Sequence, residues 1–260
     1  MEGPLTSFKI VLAYDGTDLV GWQRQAAGTS VQGLLEDALR DIDGRSVVVH
    51  GAGRTDAGVH ALGQVASLTL ERAITGDTLM RAINARLPDA IRVLHAAEVD
   101  AAFHARFSAR AKTYRYRIWN ADVANPFERA YSWHVIGPLN VDAMRAAART
   151  LEGCHDFAAF QASGGAAATT EREIFRSQIE SGRSESPGCL ISHEITGNGF
   201  LRRMVRTIVG SLVEIGRGRR DTPWLTEVVA SRDRALAGPT APASGLFLVG
   251  VDYGIERACG

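Results

Sequence analysis

The chain has 260 residues, which is enough for one large domain or two small ones with a substantial apolar core. Apolar residues make up 45% and charged residues 22%, as in an ordinary soluble globular protein, and 29 basic residues balance 29 acidic ones, so bulk charge does not indicate a nucleic-acid partner. No apolar run approaches the roughly 20 residues that span a membrane. The first residues also lack the apolar region of a signal peptide, so a cytoplasmic location is expected.

The first hundred residues predict the order β-α-β-β-α-β, which is the ferredoxin-like arrangement. Ser30 is a suitable N-cap for a helix with apolar residues at helical spacing from Val31 to Ile42. A second helix, which Asp77 could cap, is expected to stop at Pro88. The strands are predicted at Phe8–Tyr14, Val47–Val49, Gln64–Leu70 and Ile91–Val99.

The second part of the chain begins near Phe107 and also mixes strands with helices. Strands are predicted at Lys112–Trp119, Tyr131–Ile136, Glu173–Ile179, Leu190–Ile195 and Leu246–Tyr253. Helices are predicted from Asn140 to Leu151, from Phe200 to Ile215 and from Thr222 to Ser231. We therefore predict two α+β domains with mainly antiparallel sheets, residues 1–105 and residues 106–260.

Arginines cluster in two segments, although the net charge is zero. Five basic residues and no acid lie between His104 and Arg117, and six arginines face one acid between Arg202 and Arg220. On the predicted helix from Phe200, the side chains of Arg202, Arg203 and Arg206 would fall within about 100° of each other, opposite the apolar face. The clusters indicate a polarised surface that faces a polyanion.

The most unusual segment runs from Gly51 to His60 (GAGRTDAGVH) and follows a β-branched stretch directly. Its three glycines allow a tight bend, which holds Arg54 and Asp56 close together. Such a turn is a reasonable way to present a catalytic carboxylate. Two alternatives remain: a dinucleotide-binding loop, in which Asp56 would replace the third glycine, and an aspartate that only caps the turn.

The same segment resembles the signature of the tRNA pseudouridine synthase A family, and other blocks match that family in order. They run from about residue 8 to residue 253, which makes the resemblance specific. The quoted blocks are Tyr14–Gly16, Gly21–Gln25, Ser30–Gln32, Asn84–Pro88, Phe103–Ala109, Lys112–Tyr116, Gly153–Phe157, Gly199–Arg206 and Gly245–Val249.

The resemblance implies an isomerase that converts uridine to pseudouridine at positions 38, 39 and 40 of the tRNA anticodon arm, without a cofactor. It also implies a homodimer that binds the RNA arm in a basic cleft. Asp56 matches the catalytic aspartate, and Arg206 matches an arginine that pairs with it. Tyr114 matches the tyrosine that packs on the target uracil, and Arg54 matches a residue thought to help extrude the base.

These implied roles agree with the chemistry of the reaction. The N1–C1′ bond breaks and a C5–C1′ bond forms, and a carboxylate can serve as nucleophile or as base. A stacked uridine must first be flipped out, and Tyr114 offers it a stacking surface. Arg24, Arg202 and Arg203 are candidates for backbone phosphate contacts, although a solvated surface role is an equal alternative for each.

Two other functions remain open, and no metal is expected. The chain could be an RNA-binding protein without activity, or a nucleotide-dependent enzyme. Cys154, Cys189 and Cys259 include no C-x-x-C pair and the seven histidines lack metal-ligand spacing, so neither a zinc site nor a disulfide framework is indicated. The low-complexity loop Ala162–Thr170 is poor in basic and aromatic residues, so its contribution to tRNA binding is in doubt.

Overall fold

The computed structural model describes residues 5–164, 168–183 and 187–254 and divides the chain into two compact units. Unit 1 contains the chain up to Arg110 together with the segment from Leu248 onward, and unit 2 runs from Ala111 to Phe247. The sequence prediction placed the domain boundary between residues 105 and 106 and assigned the last strand to the second domain. The predicted mixture of helices with mainly antiparallel strands is confirmed, whereas the ferredoxin-like character of each domain and the basic cleft stay predictions.

Unit 1 follows the predicted order of elements. Its elements are β1 (Thr6–Tyr14), α1 (Val31–Asp43), β2 (His50–Gly51), β3 (His60–Leu70), α2 (Gly76–Asn84) and β4 (Ile91–Glu98), with most of β10 (Leu246–Asp252). The strand order is β4-β1-β3-β10, β2 pairs with β3, and β1 is antiparallel to both of its neighbours. Alternate residues of β1 are buried, and Phe8, Ile10 and Leu12 are wholly inaccessible to solvent.

Local capping signals set the helix starts in unit 1. The Ser30 side chain accepts a hydrogen bond from the Gly33 amide, as predicted for the start of α1. Thr75, rather than Asp77, caps α2. Asp77 lies in the first turn of α2, where its charge complements the helix dipole.

The predicted strand at Val47–Val49 is wrong. These residues precede β2 without pairing to another strand, although Val47 and Val49 are buried. Side chains of α1 take up the main-chain groups of Val49: its amide donates to Glu36, and its carbonyl accepts from Gln32. Polar side chains of α1 therefore provide the hydrogen bonds that a neighbouring strand would have provided to these main-chain groups.

The strand β10 belongs largely to unit 1, because its end and the residue that follows it, Tyr253, pack there. Tyr253 forms a small buried cluster with Ala52, Val65 and Ala105. Its hydroxyl donates to the Ala105 carbonyl at 2.7 Å. A pairing over such a sequence distance cannot be read from local periodicity, which is why the domain prediction kept this strand with its chain neighbours.

Unit 2 holds the remaining elements. They are β5 (Ala111–Asn120), β6 (Trp133–Val135), α3 (Val141–Arg149), β7 (Gly153–Asp156), β8 (Glu171–Arg183), β9 (Cys189–Gly197), α4 (Met204–Gly216) and α5 (Thr222–Ser231). The order β5-β9-β8-β7 is antiparallel throughout, and β6, within the predicted strand Tyr131–Ile136, pairs with β5 in parallel. Asn140 caps α3 as predicted, whereas β7 was not predicted.

The predicted helix from Phe200 begins four residues late, at Met204. Arg203 adopts a left-handed conformation (φ 59°), which ends the regular hydrogen-bond ladder on its N-terminal side. Arg202 and Arg203 therefore precede α4, and they do not share a helical face with Arg206. The apolar residues before α4 still pack, since Leu201 is buried.

Several predictions concern residues that the structure describes only in part. Residues 165–167 of the Ala162–Thr170 loop and Cys259 lie outside the described residues. Cys154 and Cys189 are free thiols. Among the described residues, no helix is long and apolar enough to cross a membrane.

Candidate active site

The loop of residues 51–59, called here the Asp56 loop, connects β2 to β3 and is held by main-chain bonds along its length. The Ala52 amide donates to the Val65 carbonyl at 2.7 Å, and the Val59 amide donates to the Asp56 carbonyl at 3.1 Å. The segment after β1 supplies the other side, where the Trp22 amide donates to the Thr55 carbonyl at 3.0 Å. The main chain on both sides of the carboxylate is therefore fixed.

Two glycines let the segment after β1 approach this loop. A Cβ at Gly16 would lie 2.1 Å from the Val59 carbonyl oxygen. Gly21 has φ 106°, and a Cβ there would lie 2.5 Å from the Thr55 carbonyl oxygen. No side chain fits at either position without moving backbone, so the glycines of the N-terminal motif serve the Asp56 loop.

An indole ring and a buried polar network secure the first half of the loop. The Trp22 ring covers Gly51 so closely that a Cβ there would lie 2.3 Å from the indole. The Tyr14 hydroxyl lies 2.8 Å from the Thr55 hydroxyl, and the Gln64 amide donates to the Gly53 carbonyl at 2.8 Å. Burial raises the pKa of Tyr14 to about 12, so the phenol stays protonated at neutral pH.

This arrangement turns Thr55 inward and leaves its neighbours accessible. Thr55 is buried, whereas Arg54 is exposed and Asp56 is half-buried. The amides of Gly58 and Val59 donate to main-chain carbonyls, so neither of them needs the Asp56 side chain as a cap. The loop leads into β3 rather than into a helix, and the dinucleotide-binding alternative is therefore wrong.

The two arginines of unit 1 that were predicted as RNA contacts differ in their surroundings. Arg54 has no ion pair with any residue in the described ranges. The Arg24 guanidinium forms salt bridges with Asp37 at 2.8 Å and with Glu36 at 2.9 Å, both on α1. These hydrogen-bonded carboxylates, Asp37 foremost, raise the pKa of the guanidinium. A phosphate at Arg24 would have to compete with two carboxylates.

Tyr114 lies in the middle of β5, opposite Ile195 of β9. Its ring is 8% exposed and meets Phe200 edge-to-face, with the centroids 5.0 Å apart. The alternation of aromatic and basic residues on this strand is thus partly structural.

Arg206 is fixed against the segment that follows α5. Its Nε donates to the Ala241 carbonyl at 2.7 Å, and the Ala241 amide donates back to the Arg206 carbonyl at 3.1 Å. Gly210 permits the contact, since a Cβ there would lie 1.7 Å from the Pro239 carbonyl oxygen. Arg206 is therefore a half-buried, anchored side chain.

The basic clusters of the sequence are partly neutralised in unit 2. Arg115 pairs with Glu194 and Arg117 with Glu128, each at 2.8 Å. Glu214 accepts from two more arginines, Arg217 and Arg219. Arg202 and Arg203 are exposed, and Arg202 donates to the Ser163 carbonyl at 2.9 Å.

Comparison with known proteins decides the family. The family model described as tRNA pseudouridine synthase matches residues 10–108 and 147–254. The chain belongs to the tRNA pseudouridine synthase family. It is accordingly a pseudouridine synthase, which is an isomerase.

Relatives named tRNA pseudouridine synthase A match the chain along almost its whole length. The protein of Pelobacter propionicus is 45% identical over 96% of this chain and 100% of its own. That of Myxococcus xanthus is 45% identical over 94% and 91%, and that of Acetivibrio thermocellus is 42% identical over 96% and 100%. A chain of a solved Cbf5-Nop10-Gar1 complex matches this chain with a TM-score of 0.33 and 14% sequence identity. The match covers 79% of this chain and 45% of that one, and it is too weak to indicate a common fold.

Sequence reasoning selected the residues of the synthase signature but missed their supports. Trp22, Tyr14 and Gln64 hold the Asp56 loop in place, and no local pattern connects them to it. The glycine spacing of the N-terminal motif was the signal that could have indicated a close backbone contact. Within the described ranges no group of three or more His, Cys, Asp or Glu residues could hold a metal ion, and the absence of a cofactor stays a prediction.

Proposed function

We propose that the chain converts uridine to pseudouridine in tRNA, at positions 38, 39 and 40 of the anticodon stem-loop, with Asp56 as the catalytic carboxylate and without a cofactor. Family membership and the names of the relatives support tRNA as the substrate class. The resemblance of the signature motifs supports the three positions. The observation that carries the role of Asp56 is its half-buried place on a loop clamped by glycine contacts and buried hydrogen bonds.

A clamped carboxylate suits this isomerisation because the reaction needs accurate positioning. The glycosidic N1–C1′ bond breaks, the uracil turns, C5 bonds to C1′, and C5 gives up its hydrogen as N1 gains one. A carboxylate serves these steps as a nucleophile at the sugar or the base, or as a base that removes a sugar proton. A misplacement of about 1 Å can cost roughly 100-fold in rate, so a fixed main chain at Asp56 favours catalysis.

The remaining predicted residues keep the roles that the resemblance implies. The target uridine is flipped out of the stem, Tyr114 stacks on its uracil, and Arg54 supports the flipped state. The resemblance also implies that Arg206 pairs with the catalytic aspartate. Arg24, Arg202 and Arg203 remain candidates for phosphate contacts in a basic cleft.

Tritium release from tRNA labelled at C5 of uridine tests the proposal. The wild-type chain should release tritium, and Asp56→Asn should abolish release while tRNA binding persists. Asp18→Asn is the matched control, since Asp18 is an exposed acid in the same unit. Tritium release by Asp56→Asn at the wild-type rate would refute the role of Asp56. Wild-type protein that binds tRNA without releasing tritium would instead favour the RNA-binding alternative.

The homodimer is part of the same proposal and is tested separately. Light scattering of the purified chain should give about twice the mass of 27.9 kDa expected for one chain. A monomer that is fully active would contradict it.

A further inference from the structure

Three rings and one guanidinium lie against each other on unit 1, and one of the rings, that of His50, immediately precedes the Asp56 loop. The imidazoles of His50 and His104 lie 4.8 Å apart between centroids, and His104 lies 4.4 Å from the ring of Phe107, with 37° between the planes in both pairs. The guanidinium of Arg106 lies 5.6 Å from the centre of the Phe107 ring. We call His50, His104, Arg106 and Phe107 the ring stack.

The ring stack is accessible to solvent, and core packing does not explain it. Phe107 is 77% exposed, and His50 and Arg106 are exposed as well. A phenylalanine exposed to this extent gains little of the roughly 1.5–3 kcal/mol that full burial of its side chain would provide. A role other than core packing is therefore reasonable for Phe107.

Hydrogen bonds fix the ring stack although it lies on the surface. The His104 amide donates to the Ser108 hydroxyl at 3.1 Å. The Ala105 amide donates to the Ser67 hydroxyl at 3.1 Å, and the Ala105 carbonyl accepts from the buried Tyr253. The rings are therefore carried by a segment anchored in the sheet, and little conformational entropy is lost when a ligand stacks on them.

The imidazole of His104 is uncharged in this arrangement. Its Nδ1 accepts hydrogen bonds from the amides of Arg106 and Phe107, at 3.1 and 3.4 Å, so its proton lies on Nε2. Burial, followed by the neighbouring His50, lowers the pKa of His104. His104 and Phe107 thus offer uncharged aromatic faces beside the permanent cation of Arg106.

We propose that the ring stack is a binding subsite for an unpaired nucleobase of the substrate RNA, with Arg106 on an adjacent phosphate, an inference that rests on the proposed function. Base stacking on aromatic rings is independent of sequence because every base has a π-face, and arginine adds a cation–π and a phosphate contact. A purely apolar protein partner would have no use for two imidazoles and a guanidinium beside the phenyl ring.

The position of His50 connects this subsite to the catalytic loop. His50 pairs with Ser67 of β3 and immediately precedes Gly51. Asp56 lies six positions further along the chain, so the two Cα atoms lie at most about 20 Å apart. A base on the ring stack and a uridine at Asp56 would therefore belong to one short stretch of RNA, and the subsite would help to place the target.

The test compares three variants in affinity for an unmodified tRNA transcript and in single-turnover tritium release at saturating enzyme. Phe107→Leu keeps an apolar side chain and removes the π-face, and Phe107→Trp restores a larger one. Phe127→Leu is the control, because Phe127 is 87% exposed and lies outside the ring stack. We expect Phe107→Leu to raise Kd by about 5-fold or more, as the loss of one base stack predicts.

Phe107→Trp should keep the wild-type Kd, and its added indole fluorescence should be quenched when tRNA binds. Equal weakening by Phe107→Leu and Phe127→Leu, or a Kd within twofold of wild type for Phe107→Leu, would overturn the subsite. A change of oligomeric state in place of a change in Kd would identify a protein contact instead and overturn it too.

The outcomes separate this inference from the proposed function. Wild-type protein that binds tRNA but releases no tritium, combined with weakened binding by Phe107→Leu, would refute catalysis and keep the subsite. Normal tritium release with unchanged affinity in Phe107→Leu would refute the subsite alone. A wild-type chain that fails to bind tRNA would overturn both.

Discussion

Replacing Gly21 with alanine tests whether the contact behind the Asp56 loop sets the rate of isomerisation. A Cβ at Gly21 would lie 2.5 Å from the Thr55 carbonyl oxygen, and real Cβ atoms essentially never approach a neighbour within 3.0 Å. Backbone must therefore move by at least 0.5 Å, next to Asp56, the proposed catalytic residue. Because catalytic groups need positions accurate to about 0.5 Å, we expect the single-turnover rate of Gly21→Ala to fall by about 10- to 100-fold.

Gly44→Ala is the matched control for the strain that accompanies this change. Gly44 also has a positive φ, of 77°, but a Cβ there would meet nothing within 4 Å. Both variants should lose about 1–2 kcal/mol of unfolding free energy in urea, the cost of a left-handed alanine, with any further loss in Gly21→Ala coming from the clash. A wild-type rate in Gly21→Ala, or an equal loss of rate in Gly44→Ala and Gly21→Ala, would refute the proposed effect of the Gly21 contact on the isomerisation rate.

Three further predictions concern a buried hydroxyl, two arginines and a buried histidine. Tyr14→Phe should cost about 1–2 kcal/mol in urea unfolding, because the buried Thr55 hydroxyl loses its partner at 2.8 Å; an unchanged unfolding midpoint would contradict this. Arg54→Gln should weaken tRNA binding and lower the slope of log Kd against log salt by about 1. Arg24→Gln should have the smaller effect, because the Arg24 guanidinium already pairs with two carboxylates. A larger effect of Arg24→Gln than of Arg54→Gln would contradict the expected RNA contacts of both arginines. Burial lowers the pKa of His193 to about 4, from about 6.5 when unfolded, so the unfolded chain takes up the proton first as the pH falls. The wild type should therefore lose about 2 kcal/mol of stability between pH 7 and pH 5 through this group, and His193→Gln should lose less over the same interval in urea titrations; equal losses in both proteins would refute the assignment.

Local patterns in the sequence determined most of the elements. The strand at Phe8–Tyr14 and the Ser30 cap of α1 were predicted from neighbouring residues, and α5 occupies the predicted range Thr222–Ser231. These features depend on backbone geometry and on side chains within one turn, so a single chain segment contains the information. The signature around Asp56 was equally visible, because unusual glycine spacing needs no partner to be noticed.

Tertiary structure decided which distant groups complete each local pattern. The run at Val47–Val49 has strand propensity, but side chains of α1 took its hydrogen bonds. The helical spacing before Met204 was overridden by the left-handed Arg203, while the apolar residues there still packed. Propensity is a weak local preference, and the burial of a shared core exceeds it.

The Asp56 loop shows the division most clearly. Its glycines and its acid were evident in the sequence, whereas the reasons for Gly16 and Gly21 lie in backbone contacts with residues more than 30 positions away. The same holds for Tyr14 and Gln64, whose polar atoms meet the loop only after β1 and β3 have paired. Sequence fixes which residue types are available, but close packing between distant segments decides where a carboxylate is held, because that packing depends on contacts that no local period encodes.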